Sequence, residues 1–259
     1  MNESMKTIVE KGIAILTLNR PSHLNAMNGG LVAELKQSFE KLNEDTSVRV
    51  IILTGAGDRA FCVGADLKER RTMSDLEVAE RIRAYKFTFG RIATVAKPVI
   101  CAINGFAFGG GLEIALACDF RIACQSAYLG LTETQLGIMP AAGGTQRLSR
   151  LVGPTMAKEL IFGAVKMSAD EALKRGIVNR VVPDEELLSA AVEWAKALSK
   201  AAPLAIAQAK KAIDEGITLP LDEAIDLEAA CYGALIPSAD RIEGLEAFAE
   251  KRAPQWNGK

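Results

Sequence analysis

A glycine-rich junction between an apolar strand and an apolar helix constrains the fold of this chain more than any other feature. Residues 98–103 form an apolar run that is typical of a buried strand, and residues 112–118 form one that is typical of a buried helix. Between them lies the sequence Asn104-Gly105-Phe106-Ala107-Phe108-Gly109-Gly110-Gly111. Glycines let the backbone approach a ligand closely, and the first N–H groups of a helix have no partner within it. The junction therefore predicts an α/β core in which backbone N–H groups can stabilise a developing negative charge.

Two glutamates and a second glycine junction accompany this feature. Glu113 follows the glycines directly among apolar neighbours, and Glu133 lies twenty residues further on, in the glycine-punctuated segment 129–137. An unpaired buried carboxylate costs several kcal/mol, so Glu113 implies a partner, a raised pKa or a function. Capped or ion-paired surface roles remain open for both glutamates. The junction at Gly64-Ala65 is either a packing turn or, together with Gly110, the second N–H donor of an oxyanion hole.

Composition excludes several classes of protein. The 259 residues are 49% hydrophobic and 24% charged, which suits one large globular domain or one domain with an appendage. A formal net charge of −1 argues against a whole-surface attraction to nucleic acid. We find neither a signal peptide nor a run of about 18 to 20 apolar residues, the length of a membrane span, so we expect a soluble cytoplasmic protein.

The cysteines and the single histidine offer little material for metal or triad chemistry. Five cysteines form no Cys-x-x-Cys pair and lie in apolar surroundings, so we predict buried free thiols at Cys62, Cys101, Cys118, Cys124 and Cys231. The only histidine, His23, lies in a polar turn. We therefore expect neither a zinc site nor a Ser-His-Asp triad.

Strands alternate with helices over most of the chain, which is typical of an α/β core. The sequence predicts a hairpin over 8–18 and a helix capped by Asn28. Further strands are predicted at 48–54, 98–103, 121–123, 127–129 and 178–182. After Pro183 only helices are predicted, at 185–200, 204–216, 222–233 and 239–251. These short amphipathic helices need a partner surface. We therefore divide the chain into a core that carries the active site, residues 1–195, and a helical appendage, residues 196–259.

One segment superficially matches a dinucleotide-binding fingerprint, Gly55-Ala56-Gly57-Asp58-Arg59-Ala60, which follows a predicted strand. A true fingerprint opens directly into a helix, whereas residues 61–64 continue as extended chain or loop. No acidic residue ends a second strand at the expected spacing. The sequence therefore argues against a nicotinamide-dependent oxidoreductase.

Several of these segments together resemble the enoyl-CoA hydratase/isomerase (crotonase) family over residues 7–256. The likeness is carried by Asn19-Arg20-Pro21 with Leu24-Asn25-Ala26, by 61–67, by 104–113 with Cys118-Asp119, and by 137–148. Residues 65–70, 111–113, 157–162, 228–232 and 240–252 are most similar to the methylglutaconyl-CoA hydratase branch, which contains an RNA-binding homologue. The resemblance implies a crotonase-like spiral core of ββα repeats and a C-terminal helical trimerisation region. It also implies a homotrimer, or a hexamer built as a dimer of trimers.

The family's site residues carry over position by position. Glu113 and Glu133 fall on the two catalytic glutamates, and Ala65 and Gly110 on the two oxyanion-hole positions. Matches that concern the CoA ester are Ala65, Asp66, Leu67 and Lys68 in the acyl and pantetheine channel, Ser22, His23 and Leu24 in the adenine-side loop, and Tyr232, Phe248 and Lys251 at positions that close a neighbouring subunit's CoA site. Ala141 stands beside the catalytic water, where glycine is usual.

The resemblance implies an enoyl-CoA hydratase, which adds water syn across the C2=C3 bond of a 2-enoyl-CoA thioester. The acyl group stays open between a short straight chain and 3-methylglutaconyl-CoA. Coenzyme A is then part of the substrate, and no metal or other cofactor is expected.

Two alternatives accompany this interpretation. A Δ3,Δ2-enoyl-CoA isomerase usually needs only the carboxylate at Glu133, whereas both glutamates are present here. RNA binding needs clustered cations, but the helix segment 35–45 carries mixed charge, so we expect no specific nucleic-acid partner.

Overall fold

The computed structural model describes residues 4–259 as ten strands, eleven α-helices and short 3-10 turns. The strands are β1 (Met5–Glu10), β2 (Ile13–Leu18), β3 (Val50–Gly55), β4 (Ala60–Cys62), β5 (Val99–Ile103), β6 (Phe106–Phe108), β7 (Phe120–Cys124), β8 (Tyr128–Gly130), β9 (Met167–Ser168) and β10 (Arg180–Val182). The helices are α1 (Gly29–Glu44), α2 (Leu67–Arg70), α3 (Asp75–Ala93), α4 (Gly110–Ala117), α5 (Gly144–Val152), α6 (Pro154–Phe162), α7 (Ala169–Lys174), α8 (Leu187–Leu198), α9 (Pro203–Gly216), α10 (Leu221–Gly233) and α11 (Ala239–Ala249).

The strands form two sheets between which the chain alternates. The larger sheet has the order β1-β2-β3-β5-β7-β10, and the smaller one has the order β4-β6-β8-β9. Apart from the antiparallel pairs β1-β2 and β8-β9, all neighbouring strands are parallel. Each turn of the chain therefore adds one strand to each sheet and then a helical segment, as in β3-β4-α2-α3 and β5-β6-α4. The predicted α/β spiral of ββα repeats is confirmed.

Local sequence signals account for much of this arrangement. The Asn28 side chain accepts the Leu31 N–H at 2.9 Å and begins α1, whose buried stripe is Leu31, Val32, Leu35, Phe39 and Leu42. The turn at 55–60 leads into strand β4 rather than a helix, as the argument against a dinucleotide site predicted. Helix α3 was not predicted, although Ser74 and Glu77 form a capping box at its start.

The C-terminal helices differ in what they cover. Helix α8 packs against β2, β3, β5 and β7, and its Ala191 and Ala195 side chains are fully buried. The predicted division at residue 195 therefore falls inside α8, and the peripheral helices begin with α9. Helices α9 to α11 expose large apolar side chains, including Ile213, Leu221 and Phe248.

The five cysteines are free and buried, as predicted. Within residues 4–259 no helix combines the length and the apolar character that a membrane crossing requires.

Candidate active site

A cavity of about 300 Å³ lies at the glycine junction where β6 meets α4. Six of the residues predicted from the sequence line it together: Ala65, Leu67, Gly110, Glu113, Glu133 and Ala141. Asp66 lines an adjoining recess of about 10 Å³, which shares Ala65, Arg70 and Tyr85 with the main cavity. The structure thus brings both glutamates and both predicted backbone donors into one cavity.

The N–H groups of the two predicted donors, Ala65 and Gly110, have no hydrogen-bond acceptor among residues 4–259. The Met27 N–H donates to the Gly64 carbonyl at 2.8 Å, and the Asp66 N–H donates to the Met27 carbonyl at 3.0 Å. Met27 thus pairs with the residues on both sides of Ala65, and neither hydrogen bond uses the Ala65 N–H. Gly110 is the first residue of α4, where an N–H has no acceptor within the helix. A Cβ built on Gly110 would lie 3.9 Å from the Ala65 nitrogen, so the two N–H groups are close neighbours. Paired, unused donors of this kind are what an oxyanion hole requires.

Glycine is required beside these donors. Gly64 has a φ of +92°, and a Cβ there would lie 3.1 Å from the Gly110 nitrogen. Gly109 has a φ of +52°, and a Cβ there would lie 3.2 Å from Oε1 of Glu133. Both backbones adopt conformations that favour glycine, and both pass close to the groups that line the cavity.

Glu113 is buried and held in one orientation. Its Oε1 accepts the N–H groups of Ala142 and Gly144, each at 2.8 Å. Burial raises the pKa of this carboxyl, while the two N–H donors and the nearby positive charge of Arg147 oppose that rise. Arg147 in turn donates to the Ala142 carbonyl at 3.0 Å, which fixes the cation beside the loop that holds Glu113. The carboxylate is therefore positioned by one oxygen, leaving the other oxygen without these donors.

Glu133 occupies a different environment. Its Oε2 is buried and has no hydrogen-bond partner among residues 4–259. Burial, and to a lesser extent the negative charge of Glu113, raise the pKa of Glu133 to about 7, although its own backbone N–H acts in the opposite direction. A carboxyl with this pKa is partly protonated near neutral pH, so it can give up or take a proton. Two carboxyls with different environments in one cavity are typical of acid–base catalysis.

An ion pair fixes the segment that carries Ala65. Nη2 of Arg20 lies 3.0 Å from Oδ2 of Asp66, and both side chains are largely buried. Oδ1 of Asp66 also accepts the N–H groups of Lys68 and Glu69 and so caps α2. The motif residues of the N-terminal turn therefore support the oxyanion segment directly after Ala65.

Two asparagines cross-link the turn that precedes β4. Nδ2 of the fully buried Asn25 donates to the Ala60 carbonyl at 2.8 Å. Asn104 donates to the Gly55 carbonyl at 2.9 Å and accepts the Gly55 N–H at 3.0 Å. Both asparagines belong to the motifs that carry the family resemblance. Their supporting role depends on long-range contacts, which the sequence does not show.

The remaining predicted CoA-contact residues lie outside the cavity. Ser22 and His23 are exposed in a 3-10 turn, with 3.0 Å between the Ser22 Oγ and the His23 Nδ1, and Leu24 follows them. Lys68 and Lys251 are exposed. Tyr232 and Phe248 are 64% and 86% exposed on α10 and α11, so within one chain they reach no part of the cavity. Their assignments stay predictions.

Several cavity residues were missed by sequence analysis: Arg70, Ile82, Tyr85, Leu136, Ile138 and Met139. Ile82 and Tyr85 lie on α3, and the Ser74–Glu77 capping box was the signal that could have located that helix. Segment 136–139 carries no comparable signal, because only its place in the cavity lining gives it a role.

Comparisons with known proteins identify the family of this chain. The family model for enoyl-CoA hydratase/isomerase matches residues 9–259. The crystal structure of an enoyl-CoA hydratase from Bacillus anthracis is 44% identical and has a TM-score of 0.97, covering 99% of this chain and 100% of that one. The chain belongs to the enoyl-CoA hydratase/isomerase family.

Two relatives bear on the acyl group. A crotonyl-CoA hydratase from Syntrophomonas wolfei is 42% identical over 250 residues, which is 96% of each chain. The mitochondrial methylglutaconyl-CoA hydratase of Homo sapiens is 42% identical over 253 residues, which is 96% of this chain and 75% of that protein. Overall identity is thus the same to a relative named for each of the two acyl groups.

Proposed function

We propose that this protein is an enoyl-CoA hydratase that adds water syn across the C2=C3 bond of a 2-enoyl-CoA thioester. One observation carries the proposal: two carboxyls, Glu113 and Glu133, share a cavity with the two unused N–H groups of Ala65 and Gly110. Addition of water to an enoyl thioester needs a base, an acid and a site for enolate-like charge, and this cavity offers all three.

In the proposed mechanism, the thioester oxygen accepts hydrogen bonds from Ala65 and Gly110. These donors stabilise the charge that develops as water adds, and removal of one such donor typically slows a reaction by about 10²- to 10³-fold. Glu113 orients the water and takes its proton as the oxygen attacks C3. Glu133 delivers a proton to C2, a role that suits a carboxyl whose pKa is raised to about 7.

Hydration is redox-neutral, because H and OH are added across the double bond and no electrons are gained or lost overall. The two carboxyls and the two N–H donors supply every proton transfer and charge contact in this scheme. We therefore propose no metal or redox cofactor, and coenzyme A enters as part of the substrate.

The isomerase alternative moves one proton within the substrate and needs one carboxylate. Glu113 is buried and held by two N–H donors at 2.8 Å, which is a costly arrangement for a carboxylate without a role. This observation favours hydration.

We further propose that the chain works as a homotrimer or a hexamer made of two trimers. The support is the exposed apolar surface of helices α9 to α11, which a single chain leaves in water. In such an assembly Tyr232, Phe248 and Lys251 would close a neighbour's CoA site, while Ser22, His23 and Leu24 would contact the adenine. A cytoplasmic location also stays a proposal, because the human relative named above is mitochondrial.

The test is crotonyl-CoA hydration by Glu113→Gln and Glu133→Gln. Each variant should lose roughly 10²- to 10⁴-fold in kcat, as expected for acid–base groups, while binding of the saturated butyryl-CoA stays within a few-fold. Glu185→Gln is the matched control, because this glutamate is exposed and does not line the cavity. If either active-site variant keeps more than about half of the wild-type kcat, the role assigned to that residue is wrong.

A further inference from the structure

One cation lines the cavity. Of the lysines and arginines in residues 4–259, only Arg70 borders the 300 Å³ space, and it also borders the adjoining recess. Arg70 ends the short helix α2, five residues after Ala65, and its side chain is half-buried.

The two acidic residues nearest to Arg70 on the same segment form ion pairs with other arginines. Asp66 pairs with Arg20 at 3.0 Å, and Glu69 pairs with Arg81 at 2.7 Å. The Arg70 side chain makes neither an ion pair nor a hydrogen bond within the part of the chain that the structure describes. A guanidinium has five N–H donors and binds carboxylates through two parallel hydrogen bonds, so a half-buried one without a partner indicates an anionic ligand.

The surroundings of Arg70 narrow the choice of ligand. The other residues that α2 and α3 contribute to the cavity wall are Leu67, Ile82 and Tyr85, which are apolar or aromatic. The Tyr85 hydroxyl already donates to the Met27 carbonyl at 3.1 Å. Elsewhere in the lining, Glu113 and Glu133 repel a second negative charge. Apart from the enolate-like charge at the Ala65 and Gly110 donors, an anionic group of the ligand is therefore favoured only beside Arg70.

We propose that Arg70 binds a carboxylate at the far end of the acyl group. The inference rests on the proposed hydratase function and deepens it: the preferred substrates are 2-enoyl-CoA thioesters with an anionic distal group, rather than unsubstituted short chains. The acyl group, rather than CoA, is the favoured source of the anion. When Ala65 anchors the thioester oxygen, the phosphates of CoA are a whole pantetheine arm away, whereas Arg70 lies one short helix along from Ala65.

The experiment compares glutaconyl-CoA with crotonyl-CoA, which differ by a carboxylate on C4. We expect wild-type kcat/KM to favour glutaconyl-CoA. Arg70→Met should lower the ratio of the two kcat/KM values by roughly 10- to 100-fold, the usual range for a charge-assisted hydrogen-bonded pair. Arg70→Lys should restore part of the ratio. Arg71→Met, at the exposed next residue, is the control and should leave the ratio unchanged.

A binding measurement separates this inference from the hydratase proposal. The saturated esters glutaryl-CoA and butyryl-CoA undergo no hydration, and Arg70→Met should weaken only the former. Equal losses for both esters and both substrates would place Arg70 on CoA or in the fold and overturn the inference, as would an unchanged ratio. If the wild type hydrates neither substrate, the hydratase proposal fails, while selective glutaryl-CoA binding would still support the role of Arg70.

Discussion

Oε1 of Glu113 accepts the Gly144 N–H at 2.8 Å, and this contact leaves no space for a side chain on Gly144. A Cβ there would lie 2.9 Å from the same oxygen and 2.9 Å from Cβ of Pro140. Gly144 therefore both donates a hydrogen bond that positions the Glu113 carboxylate and packs directly against it.

Gly144→Ala should therefore displace Glu113 and lower kcat for crotonyl-CoA by about 10²-fold, the typical cost of misplacing a reacting group by about 1 Å. Gly90→Ala is the matched control, because nothing lies within 4 Å of a Cβ built at that helical position. Steady-state kinetics of both variants give the comparison. A wild-type rate for Gly144→Ala would mean that the loop yields without moving the carboxylate.

The raised pKa of Glu133 predicts a pH-dependent cost in stability. Burial and the charge of Glu113 raise this pKa from 4.5 to about 7, so the folded chain binds the proton more tightly than the unfolded chain. The free energy of unfolding should thus fall as pH rises from about 4.5 to about 7 and stay low above that.

Glu133→Gln removes this titration. Between about pH 5 and about pH 8 the variant should gain roughly 1 to 2 kcal/mol relative to wild type, after allowance for partial solvent screening. Urea denaturation at fixed protomer concentration measures the gain, with Glu185→Gln as control. The same difference at both pH values would show that Glu133 is not perturbed in this way.

Loss of the Arg20–Asp66 pair should affect both stability and rate. Arg20→Met leaves a largely buried carboxylate unpaired, which should cost about 1 to 3 kcal/mol, and it loosens the segment that carries Ala65. The control is Lys36→Met, whose ion pair with Glu40 spans 3.9 Å with both side chains 42% exposed and should contribute less than about 1 kcal/mol. Equal unfolding free energies for the two variants would contradict the supporting role of Arg20.

Sedimentation equilibrium should give the mass of a trimer or hexamer at micromolar concentration. Phe248→Ser, on α11, should shift the equilibrium toward smaller species because its side chain is 86% exposed in one chain. Ile8→Ser, which replaces a side chain 62% exposed on β1, is the control and should leave the mass unchanged. A monomeric wild type would remove the argument for CoA sites shared between subunits.

Nucleic-acid affinity should be weak, non-specific and lost near physiological salt. On α1, Lys36 faces Glu40 in an ion pair, so the helix offers few clustered cations. For single strands, log K falls by roughly 0.7 per neutralised phosphate as log salt concentration rises. Fluorescence anisotropy with an AU-rich oligonucleotide at about 0.15 M salt measures the affinity. Submicromolar binding with sequence preference would establish a second function.

Features set by neighbouring residues could be predicted from the sequence. The Asn28 cap, the buried stripe of α1 and the junction that joins Gly110 to Glu113 each lie within a short stretch, where periodicity and capping act. The spiral itself came from the family resemblance, because strand order depends on pairings between distant segments.

Long-range contacts explain what the sequence could not predict. Arg20 and Asp66 are 46 positions apart, and nothing local marks them as partners. In the sequence, Arg70 resembles any exposed helical arginine; only the fold places it in one cavity wall with Ile82 and Tyr85 of α3. Gly144, which donates a hydrogen bond to Glu113, lies 31 positions further along the chain. It belongs to a glycine pair that also fits an ordinary helix start.

The buried cysteines make the folded chain resistant to thiol reagents and turn each thiol into a reporter of local unfolding. Cys62 lies beneath the oxyanion segment, where its Sγ accepts the Gly64 N–H at 3.4 Å, and burial raises the pKa of its thiol to about 12. Because the thiolate is the reactive form, alkylation of Cys62 requires this region to open. The rate of Cys62 alkylation therefore measures how often the active site opens. The decrease in this rate when an acyl-CoA is bound gives the free energy by which the ligand stabilises the closed site.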